Sequence, residues 1–220
     1  MARIAAHVHR PQAVRTLFAL AFVWIGWGGS YPALGVVANT LQPIQAAAIR
    51  FVVAGLIAVG IVLLISGVPR LSSREWRSTI LVGVIVVALG QGALMMSVLY
   101  ISPGIVALIF ACTPAIALIL EASFRKRKLN AKSILSISLG MFGVVWLLTS
   151  GDVQIEPIGV LLAFTAALAY AVGAVFIDVS LSAVSSLAQT AIQMTIGGVL
   201  LAAASVLVVP QAVQFSDAGL

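Results

Sequence analysis

Charged residues are scarce in this sequence, and their scarcity decides the solvent in which the chain can fold. Asp, Glu, Lys and Arg make up 8% of the 220 residues, whereas 62% are hydrophobic, and the mean hydropathy is +1.19. A soluble domain carries roughly a quarter charged residues to cover its surface. The composition therefore excludes a water-soluble globular domain and predicts an integral membrane protein.

Cysteine is nearly absent, and so are the sequence motifs of the common enzyme classes. Cys112 is the single cysteine, which excludes an internal disulfide and a cysteine metal cluster. The sequence contains no nucleotide-binding loop, zinc-ligand spacing or nucleophile elbow. We therefore expect no catalytic residue, no cofactor and no metal, and we do not expect an enzyme.

The net charge of +6 does not indicate a nucleic-acid-binding protein. The positive residues lie at the ends of apolar runs and not together on one solvated face. The expected partners are the lipid bilayer and a small-molecule substrate, with no nucleic acid. The sequence leaves open whether the chain forms a homodimer.

Long apolar runs dominate what is present. A membrane-spanning helix needs about 20 mainly apolar residues, and these runs are continuous and not alternating, which favours helices over a membrane barrel. Seven segments qualify: Leu17–Val37, Ile44–Ile65, Ile80–Ile101, Ile105–Phe124, Ser133–Leu148, Ile158–Val179 and Leu187–Val209. The predicted fold class is an all-α integral membrane protein with about seven transmembrane helices.

Lys and Arg are confined to alternate connections between these segments. Eleven of the twelve lie in the N-terminal tail, between the second and third segments, or around the run Phe124–Asn130, and the remaining one is Arg50. Short loops rich in Lys and Arg stay on the cytoplasmic side. We therefore expect a multi-pass protein of a bacterial inner (plasma) membrane with its N-terminus in the cytoplasm.

The first two segments match the last two weakly when the chain is laid on itself at an offset of 143 residues. Trp27 then falls on Tyr170, Arg50 on Gln193 and Gly55 on Gly198. Because the offset spans five helices, the second copy enters the membrane from the opposite side. Inverted repeats of this kind build many transporters, with the substrate site near the midplane between the copies.

Several short motifs resemble a known family. The runs 27–32 (Trp-Gly-Gly-Ser-Tyr-Pro) and 47–51 (Ala-Ala-Ile-Arg-Phe) resemble the opening of an EamA domain of the drug/metabolite transporter superfamily. The runs 99–104 (Leu-Tyr-Ile-Ser-Pro-Gly) and 140–144 (Gly-Met-Phe-Gly-Val) are similar to its later helices.

The resemblance implies a division of the chain into one complete repeat and part of a second. It implies a cytoplasmic tail over 1–13, a first EamA repeat of five helices over 14–150, the first two helices of an inverted second repeat over 157–209, and a C-terminal tail over 210–220. Family members have ten helices in two copies of five, so the resemblance also implies that the chain is truncated in its second repeat.

The function that the resemblance implies is secondary transport. We expect an exporter of small polar, amino acid-like metabolites or of drug-like compounds, working by alternating access. A truncated, non-transporting remnant that assembles with other membrane chains is the alternative. A seven-helix receptor or retinal protein is disfavoured, because the N-terminus is expected inside and the last segment has no lysine for a Schiff base.

Arg50 is the sharpest candidate for a substrate contact. A charge about two turns into a span is costly unless it snorkels, pairs or faces a polar cavity. Arg50 would bind an anionic substrate group such as a carboxylate, or else snorkel to the outer headgroups. Six further residues are candidates for neutral polar contacts or an aromatic wall, with helix packing as the alternative: Trp27, Tyr31, Gln91, Thr113, Tyr170 and Gln193.

Small residues and one charge pair are expected to serve the structure and not the substrate. Glycines in the first, third and fifth segments, and Ala163, Ala167 and Ala171 in the sixth, predict close helix packing. Glu121 and Arg125 stand four residues apart, a spacing that favours an ion pair on one helix.

Overall fold

The continuous apolar runs form helices, as they must where no water can satisfy the backbone. The computed structural model describes residues 10–68, 71–126, 129–150, 156–180 and 186–208, in which there are seven helices and no strand. The helices are α1 (Arg10–Thr40), α2 (Pro43–Ser66), α3 (Ser73–Ser97), α4 (Pro103–Phe124), α5 (Ala131–Ser150), α6 (Pro157–Ser180) and α7 (Ser186–Val208). The predicted all-α membrane fold is confirmed.

Five helices are long and apolar enough, in the residues described, to cross a membrane: α2, α3, α4, α6 and α7. The apolar stretches described in α1 and α5 are shorter, Thr16–Ser30 and Ala131–Trp146. Helix α1 begins at Arg10, inside the tail predicted over 1–13. The rest of that tail, residues 1–9, and the predicted tail 210–220 lie outside the described residues.

Proline and capping side chains begin several helices. Pro43, Pro103 and Pro157 stand at the starts of α2, α4 and α6, where a helix has no use for their missing N–H. Helix α3 begins with a capping box: Ser72 Oγ accepts the backbone N–H of Glu75 at 3.3 Å, and Glu75 Oε2 accepts that of Ser72 at 2.7 Å.

Helix α4 is interrupted by a turn at residues 111–112. Pro114 follows the turn and has no N–H to donate to the carbonyl of Phe110, four residues earlier. The hydroxyl of Thr113 donates to that carbonyl oxygen at 2.6 Å instead. Thr113 therefore supplies a hydrogen bond at the point where proline removes one.

Helices α2 and α7 make the most extensive helix–helix contact among the described residues. A Cβ added to Gly55 would lie 2.6 Å from Thr195 Oγ1, and one added to Gly198 would lie 2.6 Å from the backbone nitrogen of Val52. Only glycine permits such an approach. Val52 of α2 contacts Gly198 of α7, whereas Gly55, three residues later in α2, contacts Thr195, three residues earlier in α7. The two helices are therefore antiparallel.

Small residues close the bundle in some of the predicted places and not in others. Ala163, Ala167 and Ala171 of α6 are fully buried, at 0% exposure, which confirms their predicted packing. For α1 and α5 the prediction is wrong: nothing described lies within 4 Å of a Cβ added to any of their glycines (Gly26, Gly28, Gly29, Gly140 and Gly143). Both helices lie at the edge of the described bundle, and none of these glycines packs against another described helix.

The described basic residues of the α2–α3 and α4–α5 connections lie at one end of the bundle. Because α3 and α4 cross in succession, the α2–α3 and α4–α5 connections are at the same end, where Arg74, Arg77, Lys126 and Lys132 are exposed. The predicted ion pair forms there, with Arg125 Nε 3.1 Å from Glu121 Oε1. That this end faces the cytoplasm stays a prediction.

Candidate functional site

An open cleft of about 430 Å³ lies where α1, α2, α3, α6 and α7 face one another. Most of its lining is apolar or aromatic, which is typical of ligand sites. The aromatic side chains are Phe22, Trp27, Phe51 and Tyr170. The other polar lining residues are Ser30, Arg50 and Gln91, and of these only Arg50 carries a charge.

A series of polar contacts crosses the cleft and joins three helices. Arg50 of α2 donates from Nη2 to Gln91 Oε1 of α3 at 3.3 Å. Gln91 Nε2 in turn donates to the hydroxyl of Tyr170 in α6. The Tyr170 ring meets Phe110 of α4 edge-on, with ring centroids 4.9 Å apart and an interplanar angle of 79°. The network therefore ties the charged residue to helices on both sides of the cleft.

Gln91 reaches this position from an irregular part of α3. The segment Gly83–Gln91 is π-helical, a wider winding that is rare and frequently found at functional sites. Gly90, beside it, lets α6 approach, since an added Cβ would lie 3.2 Å from both Ala169 and Tyr170. Gln91 is only 8% exposed, and its amide has the partners that a buried polar group requires.

The guanidinium of Arg50 is held in place but is not neutralised by a neighbouring acid. Its Cζ lies 4.7 Å from the centroid of the Phe51 ring, within the range of a cation–π contact. The side chain is exposed to the cleft. No carboxylate in the described part of the chain pairs with it. A guanidinium has five N–H donors, so most of them are available to a ligand.

Two pairs of cleft residues are related by the offset of 143. Trp27 corresponds to Tyr170, and Phe51 corresponds to Met194, and all four line the cleft. Each pair takes one residue from α1 or α2 and the other from α6 or α7. An inverted repeat whose axis passes through the cleft would give this arrangement. The repeat itself stays a prediction, and the placement supports it.

Four of the seven residues predicted to bind substrate are brought together in the cleft: Trp27, Arg50, Gln91 and Tyr170. Thr113 does not line it and bonds instead to the backbone of α4. Gln193 does not line it either, and its backbone packs 3.1 Å from a Cβ position at Gly83. The side chain of Tyr31 lies outside the described residues. A substrate contact by any of them stays a prediction.

Sequence reasoning missed the other residues that line the cleft: Phe22, Val23, Gly26, Ser30, Phe51, Leu94 and Met194. Ser30 could have been found from helical periodicity, because it stands three residues after Trp27 on the same face of α1. In the structure its hydroxyl donates to the Trp27 carbonyl at 2.6 Å. For Met194 the sequence signal is the repeat offset of 143 residues, which makes it the counterpart of Phe51. Among the described residues, no group of three or more His, Cys, Asp or Glu could hold a metal ion.

Comparison with known proteins gives a family match and several relatives. The sequence matches the EamA-like transporter family over residues 14–149. It is 27% identical over 189 residues to "Uncharacterized transporter YvbV" of Bacillus subtilis, covering 85% of this chain and 61% of that protein. It is 28% identical over 192 residues to "Uncharacterized inner membrane transporter YedA" of Escherichia coli K12, covering 86% and 61%.

A more distant relative is an "Uncharacterized transporter" of Archaeoglobus fulgidus, 25% identical over 150 residues, which are 68% of this chain and 53% of that protein. The chain therefore spans about three fifths of the length of the first two relatives, at 61% each. No solved structure gives a significant match.

Proposed function

Because this chain belongs to the EamA-like transporter family, we propose that it is a secondary transporter whose substrate binds in the cleft beside Arg50. The observation that carries the proposal is the composition of the cleft. It is lined from both α1–α2 and α6–α7, and it gathers Trp27, Arg50, Gln91 and Tyr170 in one place. The substrate is a small polar metabolite or a drug-like compound, and the direction is export.

Alternating access requires two groups of helices that can move relative to each other around the bound substrate. The antiparallel pair α2 and α7 touches through Gly55 and Gly198, with little side-chain volume between the backbones. The contacts of Arg50 and Tyr170 with Gln91 cross from α2 to α6 by way of α3. A substrate that competes for these polar groups would loosen the link between the two sides and favour movement.

Reconstitution of the purified full chain in liposomes tests the proposal. We expect counterflow of at least one compound from a broad panel of metabolites and drugs, and a loss of about tenfold in Trp27→Ala, which corresponds to about 1.4 kcal/mol of lost contact with the substrate. Trp76→Ala is the matched control, because Trp76 lies at the start of α3 outside the cleft. A folded chain that moves nothing in the panel would contradict the proposal and favour a non-transporting membrane subunit.

A further inference from the structure

We propose that the cleft selects organic monoanions, carboxylates with an apolar or aromatic body, over amides, zwitterions and cations of the same shape. The inference rests on the proposed transport function and names the substrate class of the same site. It departs from the amino acid-like metabolites that the sequence analysis expects, because the described lining of the cleft contains no acid that could receive the ammonium group of an amino acid.

The charge balance of the lining is the first argument. Arg50 is the one ionisable side chain among the residues that line the cleft in the described part of the chain, apart from the Tyr170 phenol. An isolated charge within a membrane protein is costly, and such charges pair with an opposite one or face a polar cavity. A carboxylate ligand supplies the missing charge. An ammonium group would lie beside the guanidinium, and the described lining offers no carboxylate to neutralise either charge.

The orientation of Arg50 is the second argument. The Phe51 ring packs on one face of the guanidinium, with its centroid 4.7 Å from Arg50 Cζ. On the same group, Nη2 donates to Gln91 Oε1 at 3.3 Å. Gln91 is itself held by its bond to Tyr170. The planar group is thus fixed before a ligand arrives, with donors left for the two parallel hydrogen bonds that Arg makes with a carboxylate. Such preorganisation favours binding because less side-chain freedom is lost.

The remaining walls define the body of the ligand. Phe22, Trp27, Leu94 and Met194 surround the charged group with apolar and aromatic surface. A second charge on the ligand would lose its water against these side chains without gaining a partner. A volume of about 430 Å³ lies within the usual range of small-molecule sites. The fitting ligand therefore carries one negative charge at one end and an apolar or aromatic group at the other.

Four compounds of similar shape test the inference: 3-phenylpropionate, 3-phenylpropionamide, phenylalanine and phenethylammonium. Binding to the purified full chain in nanodiscs is measured by calorimetry, and uptake is measured in liposomes. We expect 3-phenylpropionate to bind at least about tenfold more tightly than its amide, since charge-assisted hydrogen bonds are roughly twice as strong as neutral ones. Phenylalanine and phenethylammonium should bind more weakly still.

Two variants separate the charge of Arg50 from its bulk. Arg50→Gln removes the charge and should bring the carboxylate and the amide within about twofold of each other. Gln91→Glu keeps Arg50 but places a carboxylate within hydrogen-bond distance of it, so it should also abolish the preference, even if Arg50→Gln fails to fold. Arg74→Gln, an exposed arginine outside the cleft, should keep the wild-type preference.

The outcomes distinguish this inference from the proposed function. Equal binding of carboxylate and amide by the wild-type chain, or a preserved preference in both Arg50→Gln and Gln91→Glu, overturns the selectivity while transport still stands. If none of the four compounds binds but an unrelated compound is transported, the selectivity alone fails. If the folded chain transports nothing, both proposals fail.

Discussion

Single residues set the chemistry of the cleft, and Gln91 is the residue on which the others depend. It accepts a hydrogen bond from Arg50 and donates one to Tyr170. Because Gln91 itself is buried, at 8% exposure, a broken bond would leave its amide without compensation. The network should therefore contribute to stability as well as to binding.

Tyr170→Phe tests the network at this scale. The variant keeps the ring against Phe110 but loses the hydroxyl that Gln91 Nε2 reaches. We expect the free energy of unfolding to fall by about 1 kcal/mol, measured by thermal unfolding in detergent. Tyr100→Phe, outside the cleft, is the matched control, and an equal change in both variants would contradict the prediction.

Trp27 and most polar members of the site were predicted from the sequence, whereas Ser30 and the apolar members were not. Arg50 and Gln91 stand out because a charge or an amide inside an apolar run needs an explanation. Met194 and Phe22 have the same residue types as any lipid-facing position, so only their location distinguishes them. Thr113 shows that a polar residue in a span can serve the backbone of its own helix; its contact with a substrate stays a prediction.

Two helices carry irregularities that the residue pattern explains only in part. The break in α4 follows from Pro114, which cannot donate to the Phe110 carbonyl. The π-helical segment Gly83–Gln91 of α3 has no comparable marker in the sequence. Its winding depends on how α3 packs against α6 and α7, which is tertiary information.

The hydrogen bond at the α4 break gives a prediction for that element. Thr113→Val keeps the shape of the side chain but removes the donor to the Phe110 carbonyl at 2.6 Å. We expect a loss of about 1 kcal/mol in stability, because a part-buried carbonyl loses its hydrogen bond. Thr113→Ser retains the hydroxyl and should recover most of it. Thermal unfolding measures the stability of the two variants against wild type. A Ser variant as unstable as the Val variant would show that the hydroxyl's hydrogen bond to the Phe110 carbonyl does not stabilise α4.

The contact between α2 and α7 gives a second prediction for elements. In Gly198→Ala the added Cβ would lie 2.6 Å from Val52 N and 2.8 Å from Phe51 C, both backbone atoms that cannot move aside easily. We expect stability to fall by about 1–3 kcal/mol, as in overpacked cores.

Gly60→Ala is the control for that prediction. It makes the same change on α2 at a position with nothing described within 4 Å, so it should be neutral or stabilising by up to about 1 kcal/mol, because alanine is the better helix former. The temperature at which each variant aggregates, measured by gel filtration after heating, should be lower for Gly198→Ala than for Gly60→Ala. A Gly198→Ala chain as heat-resistant as Gly60→Ala would show that the helices are not in backbone contact.

For the whole molecule, the sequence predicts the number of helices and their order well. Apolar run length decides both, and the described helices agree with it. The sequence predicts less well which helices lie at the centre of the bundle. The glycines of α1 and α5 looked like packing positions, but a small residue alone does not say whether another helix lies opposite it.

The orientation of the molecule in the membrane follows from the basic connections and can be measured directly. In a Cys112→Ala background, Ser102→Cys should react with a membrane-impermeant maleimide added to intact cells, whereas Lys126→Cys should react only after the membrane is opened. Both positions are exposed and lie at opposite ends of α4, and the basic α4–α5 connection is expected inside. The reverse pattern of labelling would invert the proposed orientation.

The glycine contact has a mechanical consequence for the whole bundle. Gly55 and Gly198 each lie near the middle of their helices, so in the transporter proposed above α2 and α7 would tilt against each other about this point. Spreading the ends of α2 and α7 on one membrane face brings their ends together on the other face. A bundle that pivots at this contact would open its cleft to one side of the membrane only as it closes the cleft to the other side. No separate gate would then be needed to keep solutes from crossing freely.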